Sequence, residues 1–439
     1  MKRKTMSECS GTADVPRAPA REGSPSRRDG VSRVERVSAR RPGDGHGALG
    51  LYVHIPFCAS RCPYCDFATA PARSALRSRY LDALESEIRR EGRRLGKPRV
   101  ATLFFGGGTP SLLEPIEVAR LGAALRDSFD LRPFEATVEA NPATLDRARL
   151  EAWAALGITR LSLGAQSFSR VGLRALGRTH QPEDVPPAVA AARSVGFDVN
   201  LDLIFGWPGQ TAAGWREDLE TAAALGPDHL SCYPLELALE PEEAVANWPG
   251  AGWRSVERWR RRSAAGQPDD EGVATLYELA EAFLGRNGYR HYEIANWARA
   301  GKRCRHNLGY WRNGEWLGVG AGAHSHLAGV RSRNPGVLPA YIAAIDRDDQ
   351  RIVDAAADAA VDGAMLALRL DEGLDLGRYG TRFGLDTASR VRDALRSLDG
   401  TRLLRWSGER VRLTARGRLL ASEVFVRLLP DDGNVSAPV

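Results

Sequence analysis

The sequence is poor in lysine, methionine and cysteine, and it has no long apolar run. Among 61 basic residues in 439, lysine supplies only Lys2, Lys4, Lys97 and Lys302. Arginine therefore carries nearly all the positive charge, which reads as a bias of the whole composition, so arginine clusters say little about an anionic partner. Nothing approaches the ~18 to 20 consecutive apolar residues that a bilayer crossing needs, which excludes an integral membrane segment. Met1-Lys2-Arg3-Lys4 could open a secretory signal. The apolar stretch that should follow is missing, and the chain is expected to stay in the cytoplasm. Six cysteines are too few for a disulfide scaffold, and a cytoplasmic chain would keep them reduced. Cys9, Cys232 and Cys304 are scattered, whereas Cys58, Cys62 and Cys65 lie close together.

What is present is a composition 43% hydrophobic and 26% charged, that of a soluble globular protein, in a chain long enough for one large domain and a smaller one. Residues 1–48 are rich in Ser, Arg, Gly, Pro and Asp, cannot bury enough surface to offset chain entropy, and read as a disordered basic tail. This segment holds eleven Lys and Arg against six Asp and Glu, so it carries most of the formal +6. The rest is near neutral, and no nucleic-acid partner is implied; the Arg258–Arg262 cluster reads as a solvated face.

From Leu51 a short β-rich run ending in a Gly, Pro or acidic loop alternates with a longer helical pattern. The runs are LYVHI from Leu51, VATLFFG from Val100, EATVEA from Glu135, TRLSLG from Thr159, DVNLDLIFG from Asp198 and DHLSCYPL from Asp228. Segments such as Ala75–Leu95, Pro115–Phe129 and Glu183–Val195 carry apolar residues at helical spacing. Six such units predict an α/β fold, an open (β/α)6 partial TIM barrel over residues 49–235, with reactive groups at the C-terminal strand ends. Residues 236–359 form a connecting region in which the rhythm stops, with a loop at Gly266–Asp270, a helix from Val273 to Arg286 and a close-packed turn at Gly318–Gly322. Residues 360–430 predict a small helical, winged-helix-like domain with a hairpin at Arg402–Leu413 and a final helix, before a short tail at 431–439.

The string HIPFCASRCPYCDF sets Cys58, Cys62 and Cys65 in a C-x3-C-x2-C pattern just past the first strand. A zinc site would want a fourth ligand, or a water on a catalytic ion, and no second Cys or His pair is nearby. Three thiolates instead leave one corner of a four-iron cluster open to a substrate. This spacing resembles the radical S-adenosylmethionine (SAM) superfamily. The resemblance implies a [4Fe-4S] cluster whose open iron is chelated by SAM and whose electron cleaves SAM to a 5′-deoxyadenosyl radical. Strand ends offer Gly106-Gly107-Gly108-Thr109, Glu139, Gln166 and Asp202 to such a ligand, and Arg178 could pair with its carboxylate. Each alone is an ordinary structural residue; their convergence on one mouth is what makes a site.

YVHIPFC, GGGTPSLL, VEANP, LSLGAQSF, LGRTH, NLDLIFGWPGQT, YEIANWA, CRHNLGYW and GVGAGAHS together resemble the oxygen-independent coproporphyrinogen oxidase family over roughly residues 49–430. In that family Tyr52, Tyr64, Gly107, Gly108, Thr109, Glu139, Gln166, Arg178 and Asp202 occupy the SAM-contacting positions. One branch decarboxylates coproporphyrinogen III and carries a fourth cysteine; a second branch, of haem chaperones, has Phe there and an HN-x2-YW motif. This chain reads Cys65-Asp66-Phe67 and His306-Asn307-Leu308-Gly309-Tyr310-Trp311. The resemblance therefore implies a haem-binding region within 236–359, with His306 as the haem ligand, a haem-accepting protein as partner, and an electron donor for the cluster. Tyr310, Trp311 and Trp316 would wall the macrocycle, and Arg303, Arg305 or Arg312 would meet its propionates. Cys304 is an alternative ligand; His324 and His326 fit the turn, and Met365 the core. Relatives usually read EPGT after the sixth strand, where this chain has LALEPEEAVANWPG.

Overall fold

The computed structural model describes residues 49–237, 246–248, 253–349, 351–355 and 358–429, the side chains of 253–255 excepted. The tails expected at 1–48 and 431–439, and most of the divergent segment at 240–249, lie outside the described residues.

Each of the six sequence runs is a strand: β1 (Leu49–Ile55), β2 (Arg99–Gly107), β3 (Asp130–Ala140), β4 (Arg160–Gln166), β5 (Asp198–Phe205) and β6 (His229–Pro234). They pair in parallel, each with the next. Their alternation gives the sheet two different faces. Leu51, Val53 and Ile55 of β1, or Val199, Leu201 and Leu203 of β5, are fully buried in the main core, which also takes Leu81, Leu84 and Ile88 of the helix Arg77–Arg94. The intervening residues point to the opposite face, period two sending alternate side chains to opposite sides. In β3 these are Glu135, Thr137 and Glu139, and in β5 Asn200 and Asp202. The inner face is thus polar and hydrogen-bonded: the Asn200 amide donates to Ser162 Oγ at 2.7 Å, and its oxygen meets His229 Nδ1 at 2.6 Å.

The region past residue 236 is more than a connector. It adds β7 (Arg290–Glu293), β8 (Asn296–Ala298), β9 (Trp316–Val319), β10 (His324–Leu327), β11 (Val330–Arg333) and β12 (Ile352–Val353) to the same sheet. The order is β12-β11-β10-β9-β1-β2-β3-β4-β5-β6-β8-β7. β9 runs parallel to β1, pairing Gly50 with Trp316 and Val53 with Val319. Gly318, expected in the turn, therefore lies in a strand, and Gly320–Gly322 make the turn; the open edge of β1 supplies the partner that local composition could not reveal. The buried Glu87 carboxylate holds this edge. It accepts from Gly320 N at 2.8 Å, Asn334 Nδ2 at 2.8 Å, Tyr341 Oη at 2.7 Å and Arg351 at 2.6 Å.

The C-terminal domain packs helices Ala359–Leu368, Leu376–Phe383 and Leu385–Arg396 on a three-stranded sheet of Leu374–Asp375, Arg410–Leu413 and Leu404–Ser407, around Leu368, Leu395, Val411 and Val424. The single final helix expected is two short ones, Ala415–Leu419 and Ala421–Val426. No described helix is long and apolar enough to cross a membrane.

Candidate functional site

The cysteines lie on the loop that leaves β1. Its two ends are clasped by a short parallel bridge, Phe57 with Ala70 and Cys58 with Pro71, and Cys65 N donates to Cys62 O at 3.1 Å. His54, near the end of β1, reaches Ala68 O through Nε2 at 2.9 Å and Tyr52 Oη through Nδ1 at 3.0 Å. Burial lowers the His54 pKa to about 4, so the imidazole stays neutral and serves as a strut. Sequence reading passed over it, although it stands inside the quoted HIPFC string.

The glycine turn at the end of β2 runs against this loop with no room for side chains. Gly107 has φ +110°, and a Cβ there would fall within 2.4 Å of the His54 ring. At Gly108 a Cβ would lie 2.5 Å from the carbonyl carbon and oxygen of Pro56. Thr109 then sets its hydroxyl 3.5 Å from Cys58 Sγ. Arg178 reaches in from the loop after β4, with Nη1 at 3.5 Å from Cys62 Sγ and Nη2 donating to Gly164 O at 3.0 Å. Tyr64 packs with Leu176, Ile204, Trp207 and Leu235.

The remaining mouth residues face the same space. Gly107 N donates to Glu139 Oε2 at 3.0 Å, and burial, reinforced by the charge of Asp202, raises the Glu139 pKa to about 7. Burial also raises that of Asp202, which accepts from Ser162 at 3.0 Å and Asn200 at 2.7 Å. Gln166 sits at φ +63°, a conformation costly for a residue with a Cβ and typical of binding sites. Its Oε1 and the Nε of Arg178 are buried without a hydrogen-bond partner. The structure thus brings Cys58, Cys62, Cys65, Gly107, Gly108, Thr109, Glu139, Gln166, Arg178 and Asp202 to one mouth. Tyr52 lies below it, its hydroxyl committed to His54.

Whether these residues suit a cluster with SAM can be judged from the donors. Among the described residues no three His, Cys, Asp or Glu side chains gather around one position for a single metal ion. The three thiols are spread along one loop, as a larger cluster with thiolate corners requires. Burial pushes Cys58 up to about 11 and Cys65 to about 12, so loading would release protons from them. The orphaned Gln166 and Arg178 atoms and the bare glycine turn supply polar contacts and space for a charged amino-acid ligand. The residues fit.

His306 is elsewhere. The helix Arg305–Trp311 begins where the backbone N–H groups of Arg305 and His306 each donate to the Glu135 carboxylate at 2.9 Å. The His306 ring enters the barrel from the N-terminal ends of the strands, stacks on Phe104 at 5.2 Å, and contacts Thr102 through Nδ1 at 2.9 Å and Tyr310 Oη through Nε2 at 2.7 Å. Burial lowers its pKa to about 3. Thr102 and Gly107 lie five positions apart on β2, roughly 16 Å along the strand. The HN-x2-YW helix thus meets the barrel at the strand ends opposite the cysteine loop.

A cavity of about 470 Å³ opens over this pair, lined by Thr102, Phe134, Arg303, Arg305, Tyr310 and Trp316 among others. Arg312 also lines it but is paired with Glu372 at 2.8 Å. Trp311, expected in the wall, turns away to pack with Tyr292, Leu308 and Leu370 at the junction with the C-terminal domain. Cys304, the alternative ligand, points inward to Glu135 and is pushed up to about 12 by burial. His326 is held by Gly314 O at 2.7 Å and His324 accepts through its carbonyl from Trp316, as turn and strand residues.

The comparisons with known proteins agree with this layout. A family model described as the Radical SAM superfamily matches residues 52–222, and the HemN C-terminal domain matches residues 355–420. The chain is 38% identical over 390 residues to the heme chaperone HemW of Mycobacterium tuberculosis, covering 87% of this chain and 95% of that protein. With the heme chaperone HemW of Bacillus subtilis the identity is 34%, over 85% of this chain and 97% of the relative. Among solved structures, the coproporphyrinogen III oxidase (HemN) of Escherichia coli, a radical SAM enzyme, superposes with a TM-score of 0.74 at 25% identity, over 87% of this chain and 90% of that one.

Proposed function

The chain belongs to the heme chaperone HemW family, and from that premise we propose that it is a cytoplasmic haem chaperone that takes up haem and passes it to an acceptor protein. The cluster and SAM are the cofactors that the radical SAM superfamily implies. Cys58, Cys62 and Cys65 would hold the [4Fe-4S] cluster. Gly107, Gly108, Thr109, Glu139, Gln166, Arg178 and Asp202 would receive SAM, with Tyr52 and Tyr64 below and beside it. When bound, the cluster supplies one-electron chemistry to SAM, fed by an external electron donor. The chain's own part is to desolvate the mouth, hold the loop through His54 and offer Glu139 and Arg178 to the two charges of a zwitterion.

The observation that carries the chaperone reading is that the two sites open at opposite ends of the barrel strands. The HN-x2-YW cavity, with exposed Phe134 as an apolar wall and Arg303 and Arg305 as cations for propionates, opens at the end of the barrel away from the cysteines. A tetrapyrrole held there is screened from the cysteine mouth by the Phe104 ring, which stacks on His306 and lies beside Glu139, whereas abstraction of a propionate hydrogen needs reacting atoms about 3 to 3.5 Å apart. The cavity therefore suits cargo, with the His306–Tyr310 pair under the iron. The second reading, an oxygen-independent coproporphyrinogen III dehydrogenase, draws on the shared fold and requires the porphyrinogen at the cysteine mouth instead. Anaerobically reconstituted protein is titrated with haem, with and without SAM, and separately given coproporphyrinogen, SAM and a reductant. Stoichiometric haem binding without protoporphyrinogen formation is expected; protoporphyrinogen production overturns the chaperone reading.

A further inference from the structure

The family resemblance implies His306 as the iron's ligand, yet the arrangement of its neighbours gives it another task. Its side chain is almost fully buried, at 2% exposure. Both ring nitrogens are engaged, Nδ1 with the Thr102 hydroxyl at 2.9 Å and Nε2 with the Tyr310 hydroxyl at 2.7 Å. One face of the ring lies against Phe104 and an edge of Tyr310 covers another side. Both His306 and Tyr310 line the cavity, but Tyr310 is the partly exposed one, and its ring is fixed edge-on to Trp316 at 4.7 Å. To ligate iron through Nε2, His306 would have to give up its hydrogen bond to Tyr310.

We propose that the donor to the haem iron is the Tyr310 oxygen, with the neutral His306 ring behind it holding that hydroxyl in place and Thr102 fixing the His306 ring. Tyrosine oxygen is an established type of axial haem ligand, and a hydroxyl already held by a fixed neighbour loses less freedom on binding. On ligation of ferric haem, the Tyr310 O–H bond breaks, its proton leaves to solvent through the open cavity, and the oxygen forms the bond to iron while the water or chloride on that face leaves. The iron remains ferric throughout, and no electron moves. In the neutral tautomer that accepts from Tyr310 at Nε2, His306 Nδ1–H donates to Thr102 Oγ1, which makes Thr102, a barrel-strand residue outside the motif, a positioning residue. The inference rests on the haem-chaperone reading and deepens it.

The test is a ferric haem titration of anaerobically reconstituted wild type, Tyr310→Phe, His306→Ala, Thr102→Val and Thr102→Ser, with resonance Raman spectra of each complex and the cluster's visible absorption as a check of folding. Wild type should show the bands of an iron-bound phenolate. Tyr310→Phe should lose them and bind haem at least tenfold more weakly with its cluster intact. Thr102→Val should weaken binding less and Thr102→Ser should restore it. A Tyr310→Phe complex with the wild-type spectrum and affinity overturns the assignment, as does a wild-type spectrum lacking phenolate bands. Wild type that binds no haem at all would instead overturn the chaperone reading itself.

Discussion

Glu139 offers the sharpest quantitative test of the SAM mouth. Its pKa lies at about 7, against an ordinary value of 4.5, because burial and then the neighbouring Asp202 penalise the carboxylate. If the cationic SAM requires the ionised form, binding must expel a proton whenever Glu139 starts protonated. At pH 6 only about one molecule in eleven carries the carboxylate, and at pH 8 about ten in eleven do, so apparent affinity should rise roughly tenfold between them and level off above. Stability runs the other way. The folded state binds the proton more tightly than the unfolded one, so this contribution is complete below about pH 4.5 and is lost as pH rises through about 7, with an upper bound of ~3 kcal/mol. Calorimetric titration of SAM into reconstituted protein, in buffers of different ionisation enthalpy, measures both the affinity and the proton released. Glu139→Gln should abolish the pH slope and the proton release while keeping the Gly107 N contact. A flat affinity between pH 6 and 8 in wild type, or an undiminished slope in Glu139→Gln, would refute the reasoning.

Replacing Cys58, Cys62 or Cys65 by Ser should remove the cluster's visible absorption yet leave haem affinity within about twofold, because the cavity lies at the far end of the strands; parallel loss of haem binding in all three would contradict the separation of sites. Gly108→Ala places a methyl 2.5 Å from the Pro56 carbonyl, an overlap with backbone that should cost ~1–3 kcal/mol and lower both iron content and SAM affinity, and unchanged iron content would show that the turn yields. Glu87→Ala leaves the Arg351 guanidinium, only 11% exposed, without its carboxylate and should destabilise the protein by ~3–5 kcal/mol in a denaturant melt; a loss under ~1 kcal/mol would mean that the β9 edge does not depend on this ion pair.

The parts of the fold that were legible share a local cause. LYVHI and DVNLDLIFG alternate with period two and end in turn-forming residues, so strand, face and end can be read within a few residues. The six-strand parallel order followed because crossover handedness leaves little choice. Strand β9 escaped because Trp316–Val319 is short and glycine-bearing, and acquires strand geometry only by pairing with β1, more than 260 positions away. Glu87 gave no signal either: on a helix rich in charge it looks solvated, and only folding surrounds it with four donors.

At the site the division is similar. Three thiols at fixed spacing, a glycine turn and strand-end acids are short-range patterns whose chemistry is set by residue type, and the sequence by itself determined them. It also determined that His306 and Tyr310, one helical turn apart, stand on the same side of their helix. Only the tertiary structure decided that this helix meets the opposite end of the barrel from the cysteines, that Cys304 and Trp311 face away from the cavity, and that Thr102 and Glu135 come to hold the motif. These are contacts between residues more than 150 positions apart. They depend on how the strands curl and where the chain returns, which no local pattern encodes.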